Sequence, residues 1–203
     1  MNLSDFIRGY TNVASDELIE EIYDWFYNGE SAKTITANRN TRKDLQKWVP
    51  LDTPLYNKIQ EIKFNMLDKY LEEFPHAYRG NQKLESTITK VQRTDINGGG
   101  FHNFHAEQSQ WKTVRRVLAW TIYLNDIPDG EGETQFLFEN IKVQPKKGLG
   151  CIFPAAWIWQ HRGNPVYTHA KYISTGWFLY PPEVQMEDQA KVYKNMIKTA
   201  GID

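Results

Sequence analysis

Val114 to Phe138 reads VRRVLAWTIYLNDIPDGEGETQFLF. From Val114 to Asp126 the run is rich in β-branched and aromatic residues, a composition that suits a pleated, buried surface. IPDGEGE then supplies turn chemistry, and TQFLF resumes an extended pattern. Strand, turn and strand in this order predict a β core. Outward from this segment the signature recurs. KLESTITKVQRT (83–94) precedes it, and IKVQPKKGLGCIFP, WIWQH and KYISTGWFLY follow it, with PKKG and RGNP as further turn signals. The resulting expectation is a mainly β core of short strands with helices packed outside.

Two helices are expected before that core. In SDELIEEIYDWF (15–26), Leu18, Ile19, Ile22, Tyr23 and Phe26 recur at helical spacing, with Ser15 as cap and Asp16 and Glu17 in the first turn. PLYNKIQEIKFNMLDKYLEEF (54–74) carries an apolar stripe through Leu55, Ile59, Ile62, Met66, Leu67, Tyr70 and Leu71, with Asp52 or Thr53 as cap. Between them, the polar stretch Thr34 to Pro50 reads as irregular, with room for a short strand, and is a candidate substrate-covering loop or a solvated connection. A third amphipathic helix is expected near the C-terminus. The organisation predicted is one domain over 1–203: a helical N-terminal part at 15–76, a β core at about 83–180 and a C-terminal helix at about 186–200.

The chain holds 24 Lys and Arg against 25 Asp and Glu, a net charge of -1, which disfavours a protein whose main task is holding nucleic acid. Cys151 is the only cysteine, so an intrachain disulfide and a thiolate metal cluster are both excluded. No stretch approaches the ~20 apolar residues that span a bilayer, and the N-terminal residues lack a basic region followed by an apolar run. A soluble, cytoplasmic protein is expected. The run Gly98–Gly100 lacks the lysine and hydroxyl residue of a phosphate loop and predicts a tight approach to the β core instead.

The chemistry-bearing residues gather around FHNFHAE (101–107). In a strand, His105 and Glu107 share a face, whereas His102 and His105 do not. His161 ends WIWQH just before RGNP, and distant strand ends can meet in a closed β structure. Two imidazoles and a carboxylate hold divalent iron on one face and leave positions open for redox chemistry with dioxygen. Zinc can use the same three ligands plus water, and a surface pair beside an ordinary hydrogen-bonded histidine is the competing structural explanation.

An ordered set of further motifs resembles the iron(II)/2-oxoglutarate-dependent dioxygenases of the prolyl 4-hydroxylase type. His105-Ala106-Glu107 is similar to that family's His-x-Asp. Tyr123-Leu124-Asn125 resembles its Tyr-Leu-Asn strand, and Gly132 to Phe136 its Gly-Glu-Thr-x-Phe segment. Val143 to Pro154 resembles the hairpin before the distal histidine, His161 to Val166 the distal-histidine segment, and Lys171-Tyr172 with Trp177 its end. The resemblance implies a double-stranded β-helix (jelly-roll, cupin-like) fold and Fe(II) on His105, Glu107 and His161. It also implies 2-oxoglutarate and dioxygen as cosubstrates, with ascorbate as a candidate reductant. The far carboxylate of 2-oxoglutarate would pair with Lys171 and accept the Tyr123 hydroxyl.

Hydroxylation of a peptidyl proline follows as the expected activity, with a peptide or protein as partner; Trp111, Trp157 and Trp159 are candidates for stacking surface. The alternatives are a non-catalytic peptide-binding module on the same fold and an oxygenase acting on another substrate such as nucleic acid. The chain departs from the family in four places. Glu107 replaces the aspartate, Asp95 and Ile96 stand where a tyrosine is frequent, and His102 and His169 replace an aromatic residue and a glycine.

Overall fold

Ser15 Oγ accepts the Leu18 N–H at 3.3 Å and starts α1 (Asp16–Asn28), while Thr53 Oγ1 accepts the Tyr56 N–H at 3.2 Å and starts α2 (Pro54–Glu73). Thr53, not Asp52, is therefore the cap, and Pro54 occupies the first turn, where its absent N–H costs nothing. The computed structural model describes residues 2–77, 83–86, 88–138 and 141–181, with isolated positions beyond. The C-terminal helix expected at about 186–200 lies outside this set apart from those positions. Among the described residues, no helix is long and apolar enough to cross a membrane.

The strands are β1 (Arg8–Tyr10), β2 (Lys33–Arg39), β3 (Arg42–Trp48), β4 (Lys90–Thr94), β5 (Gly100–Phe101), β6 (Arg116–Tyr123), β7 (Thr134–Phe136), β8 (Lys142–Val143), β9 (Gly150–Pro154), β10 (His161–Gly163) and β11 (Lys171–Leu179). They form two antiparallel sheets. The larger runs β1-β9-β6-β11-β4-β3-β2, with β5 also paired to β3; the smaller runs β10-β7-β8. Among the described residues no strand pairing closes the two into a barrel. Isolated bridges Gly99↔Val166 and His105↔His161 tie the loop 99–105 to the segment 161–166.

Strand alternation sorts the larger sheet into two unlike faces. Leu118, Trp120 and Ile122 of β6, Ile152 of β9, Val91 of β4 and Phe178 of β11 pack with Ile19, Ile22 and Phe26 of α1 and Ile59, Met66 and Tyr70 of α2. The helices approach closely: a Cβ added at Gly150 of β9 would stand 2.2 Å from Met66 Sδ. The opposite face is mixed. Ala119, Tyr123, Cys151 and Phe153 pack with Phe136 of the smaller sheet, while Lys90, Gln92, Thr94, Lys171 and Trp177 line an open cavity. Cys151 is buried, and burial pushes its thiol up to about 12, so it is no candidate nucleophile.

Three sequence expectations are corrected. The stretch read as irregular forms a regular hairpin, β2–β3, in register from Lys33↔Trp48 to Arg39↔Arg42, so the N-terminal part is not purely helical. Its inward residues include Arg42 and Gln46, which line a cavity and not a hydrophobic core, and Asp44, buried and hydrogen-bonded to both; that concealed the alternation. In WIWQH, Trp157–Trp159 is a 3-10 turn, fixed by Trp159 Nε1 donating to Leu3 O and by edge contact with Phe6. Among the described residues of KLESTITKVQRT only Lys90–Thr94 is strand, with Glu85 making one bridge to Leu179. Gly98–Gly100 makes the expected close approach: a Cβ on Gly100 would lie 3.2 Å from Gly163 O of β10.

Lys63 lies on the apolar side of α2 and is fully buried, its ammonium donating to Ser86 O at 2.8 Å and Thr89 Oγ1 at 3.0 Å. Burial lowers its pKa to about 7. The unfolded chain then binds the extra proton between about pH 7 and the ordinary lysine value, so this residue's destabilising contribution is full below pH 7 and fades as pH rises through that window. Lys63→Met is expected to raise stability at pH 6 by about 1–3 kcal/mol and to flatten the rise between pH 7 and 10. Urea unfolding at several pH values checks this; a variant less stable than the parent at pH 6 would show that the two hydrogen bonds outweigh the desolvation.

Candidate functional site

His105 and His161 are brought together by main-chain pairing, each N–H donating to the other's carbonyl at 3.0 Å. Their rings lie 4.5 Å apart between centroids. Nδ1 of His105 faces Asn103 O at 3.0 Å and Nδ1 of His161 faces Trp159 O at 3.2 Å. Carbonyls only accept, so each Nδ1 carries a proton, and each Nε2 is the ring nitrogen turned toward Glu107 and available to a metal.

Glu107 completes the group. Its Oε1 stands 3.5 Å from His105 Nε2 and 3.6 Å from His161 Nε2, and the three ligand atoms all lie within 4.8 Å of one another. Ligand atoms about 2.1 Å from a shared divalent ion at right angles would be about 3 Å apart, so small rotations suffice to seat one. Oε2 points the other way, accepting from Trp177 Nε1 at 2.6 Å and Arg116 Nη1 at 3.0 Å. Burial alone would raise this carboxyl, but the two imidazoles outweigh it and hold Glu107 well below the usual carboxylate range. A polarised carboxylate and two oriented imidazoles fit a divalent ion with one face free.

The expected strand geometry of His105-Ala106-Glu107 is not what achieves this. The segment is a loop with one bridge at His105, pinned further by Gln108 N–H donating to Ala155 O at 2.8 Å. Glu107 reaches inward from a bend, and the longer side chain suits that path. Glu107→Asp, although it installs the family's usual residue, is therefore expected to weaken Mn(II) or Fe(II) binding ~10- to 100-fold, because the shorter chain cannot serve the imidazoles and Trp177 and Arg116 together. Calorimetric metal titration decides it; equal or tighter binding by the aspartate variant would refute the argument.

The triad opens into a cavity of about 960 Å³, walled by β4, β6 and β11, by the loop 105–113 and by the β2–β3 hairpin. Lys171 lies inside it, buried on β11, with its ammonium donating to Gly132 O at 2.7 Å. Burial lowers its pKa to about 8, against the opposing fields of Glu133 and Asp44. Tyr123 is fully buried, its hydroxyl 2.7 Å from Thr134 Oγ1, and burial raises its pKa. Thr134 borders the cavity and Tyr123 stands behind it.

His102 and His169 stand apart from the triad: His102 Nε2 meets Gly98 O at 2.7 Å, and the exposed His169 meets Thr168 Oγ1. Trp111 and Trp157 are exposed, while Trp159 packs inward. Sequence reasoning missed Arg116 and the role of Trp177. Trp177 shares the inner face of β11 with Lys171, six residues along, an even spacing that could have pointed to it. Arg116 gave no such signal, since a register shift opposite Phe178 and Leu179 interrupts the alternation of β6 between Arg116 and Leu118.

The profile of one protein family matches residues 89–179, from the start of β4 to the end of β11. That family is the 2OG-Fe(II) oxygenase superfamily. Among curated proteins none matches the sequence. Solved structures that resemble this chain include the viral collagen prolyl hydroxylase of Paramecium Bursaria Chlorella virus-1 in its 2OG complex, with TM-score 0.65 and 20% identity over 85% of this chain and 95% of that one. A prolyl-4-hydroxylase of Pseudomonas putida gives TM-score 0.65 and 15% identity over 87% and 94%. A Trichoplax adhaerens prolyl hydroxylase in complex with a hypoxia inducible factor peptide fragment gives 0.65 and 16% over 87% and 84%. At these identities the likeness is one of fold, and it extends beyond the family profile into the N-terminal part.

Proposed function

We propose that this protein is an Fe(II)- and 2-oxoglutarate-dependent dioxygenase that hydroxylates a peptidyl proline. The observation that carries the proposal is the convergence of His105, Glu107 and His161 in a cavity that also contains the buried ammonium of Lys171. A peptide-binding module would need neither a polarised three-ligand cluster nor a buried cation opening onto the same space. The two facing sheets are read as the double-stranded β-helix core of this class, and the prolyl hydroxylases with the same fold suggest the substrate.

In this reading, bound iron supplies the dioxygen-activating centre and 2-oxoglutarate the two electrons that hydroxylation consumes. His105, Glu107 and His161 hold one face of the ion. Trp177 and Arg116 fix the carboxylate, and the carbonyls of Asn103 and Trp159 fix the imidazole tautomers. Lys171 pairs with the far carboxylate of 2-oxoglutarate, exchanging an unpaired buried ammonium for an ion pair. Thr134, held by Tyr123, stands on the wall near that end. The β2–β3 hairpin covers the cavity on the substrate side and restricts water.

An anaerobic visible spectrum with Fe(II) followed by 2-oxoglutarate tests the cofactor pair. A cosubstrate-to-iron charge-transfer band is expected, and folded protein without one would return the binding module to first place. Mass shifts of one oxygen on proline-containing peptides then test the substrate.

A further inference from the structure

A second buried ammonium stands on the cavity wall, on the Glu107 side. Lys90, on the inner face of β4, is 7% exposed and borders the cavity. Among the described residues its ammonium has one hydrogen-bond acceptor, Gln46 Oε1 at 3.2 Å, and lies 5.0 Å from the centroid of the Trp177 ring. The nearby carboxylates are engaged elsewhere. Asp44 accepts Arg42 Nε at 3.0 and 2.8 Å and Gln46 Nε2 at 3.1 Å. Glu107 accepts from Arg116 and Trp177 while facing the two imidazoles. Each guanidinium on this wall thus has its carboxylate, and Lys90 has none. Burial, reinforced by the field of Arg42, lowers its pKa to about 8 despite Glu107 and Asp44. Holding such a group unpaired is costly.

The cosubstrate does not meet this need. Lys171 pairs in register with Thr94 and Lys90 with Thr175, so the two lysines are four residues apart along the β4–β11 ladder. That is about 13 Å between their backbone positions at the rise of a strand, and the terminal carbons of 2-oxoglutarate are about 5 Å apart. In the proposed reading one carboxylate of 2-oxoglutarate would pair with Lys171 and the other would go to the metal on the triad, so neither is left for Lys90.

We propose that Lys90 is a specificity-determining residue that receives a carboxylate of the substrate. The inference rests on the oxygenase reading above and names its substrate class: a proline-bearing peptide with an acidic group adjoining the target residue. That carboxylate can come from an aspartate or glutamate beside the proline or from a C-terminal proline itself. A phosphodiester chain suits the wall less well, because it is bound by a track of exposed cations, and here the two unpaired ammoniums, Lys171 and Lys90, are buried inside a cavity.

Calorimetry on the metal-free protein, and on protein loaded with Mn(II) and 2-oxoglutarate, tests this with matched probes. Acetyl-Glu-Pro-Gly-amide is compared with acetyl-Gln-Pro-Gly-amide, acetyl-Ala-Pro with its amide, and a thymidine hexanucleotide is added as a separate probe. One acidic probe is expected to bind at least ~10-fold tighter than its amide twin, the pair that discriminates identifying the source of the carboxylate. Lys90→Met and Lys90→Gln are each expected to reduce that preference to about twofold or less. Equal binding within both pairs, or a preference that survives both substitutions, overturns the proposal, as does Lys90-dependent binding of the hexanucleotide tighter than any peptide. Failure of the oxygenase reading shows separately, as wild-type protein that lacks the Fe(II)/2-oxoglutarate absorption band while still discriminating acid from amide.

Discussion

His161→Ala is expected to lower Fe(II) affinity by at least ~10²–10³-fold and to abolish the charge-transfer band with 2-oxoglutarate. The size follows from the supply of ligands. His105, Glu107 and His161 are the described residues whose ligand atoms cluster here, so two would remain. No neighbour substitutes, because the ring is flanked by Phe153 at 4.7 Å and Phe136 at 5.6 Å between centroids. The fold should survive, since the pairing with His105 runs through backbone N–H and carbonyl groups. Thermal melting of the metal-free variant checks that. An unchanged Fe(II) titration in folded His161→Ala protein would remove the metal site from this cavity.

Lys171→Met is expected to raise the KM for 2-oxoglutarate about 100-fold, equivalent to roughly 3 kcal/mol, as for truncation of one partner in a buried ion pair. Fe(II) binding without the cosubstrate should change by no more than about twofold, because Lys171 is hydrogen-bonded to Gly132 O and not to the triad. The thermal readout is distinctive. Without cosubstrate the variant should melt higher than the parent, as a buried cation has been replaced by an apolar chain of similar length. Added 2-oxoglutarate should stabilise the parent and leave the variant nearly unmoved. A variant stabilised as much as the parent would mean that another group takes the far carboxylate.

What the sequence could determine was what depends on short-range chemistry. The caps Ser15 and Thr53 and the apolar stripes that follow them define α1 and α2, and the β-branched run from Val117 to Tyr123 defines the central strand. His105, Glu107 and His161 were identifiable because motif order along the chain matched a known family.

Tertiary structure decided the rest. The β2–β3 hairpin was hidden because Arg42 and Gln46 line a polar cavity and Asp44 is buried beside them, so the inward face of a strand carried the composition of a loop. Arg116 joins Glu107 only because a register shift interrupts strand alternation, and Glu107 reaches the imidazoles from a bend and not from a strand. Lys90 looks like any strand lysine in the sequence. Its want of a counter-ion depends on where Asp44, Arg42, Glu107 and Arg116 lie in space, and local sequence pattern does not encode how charges from distant segments are paired.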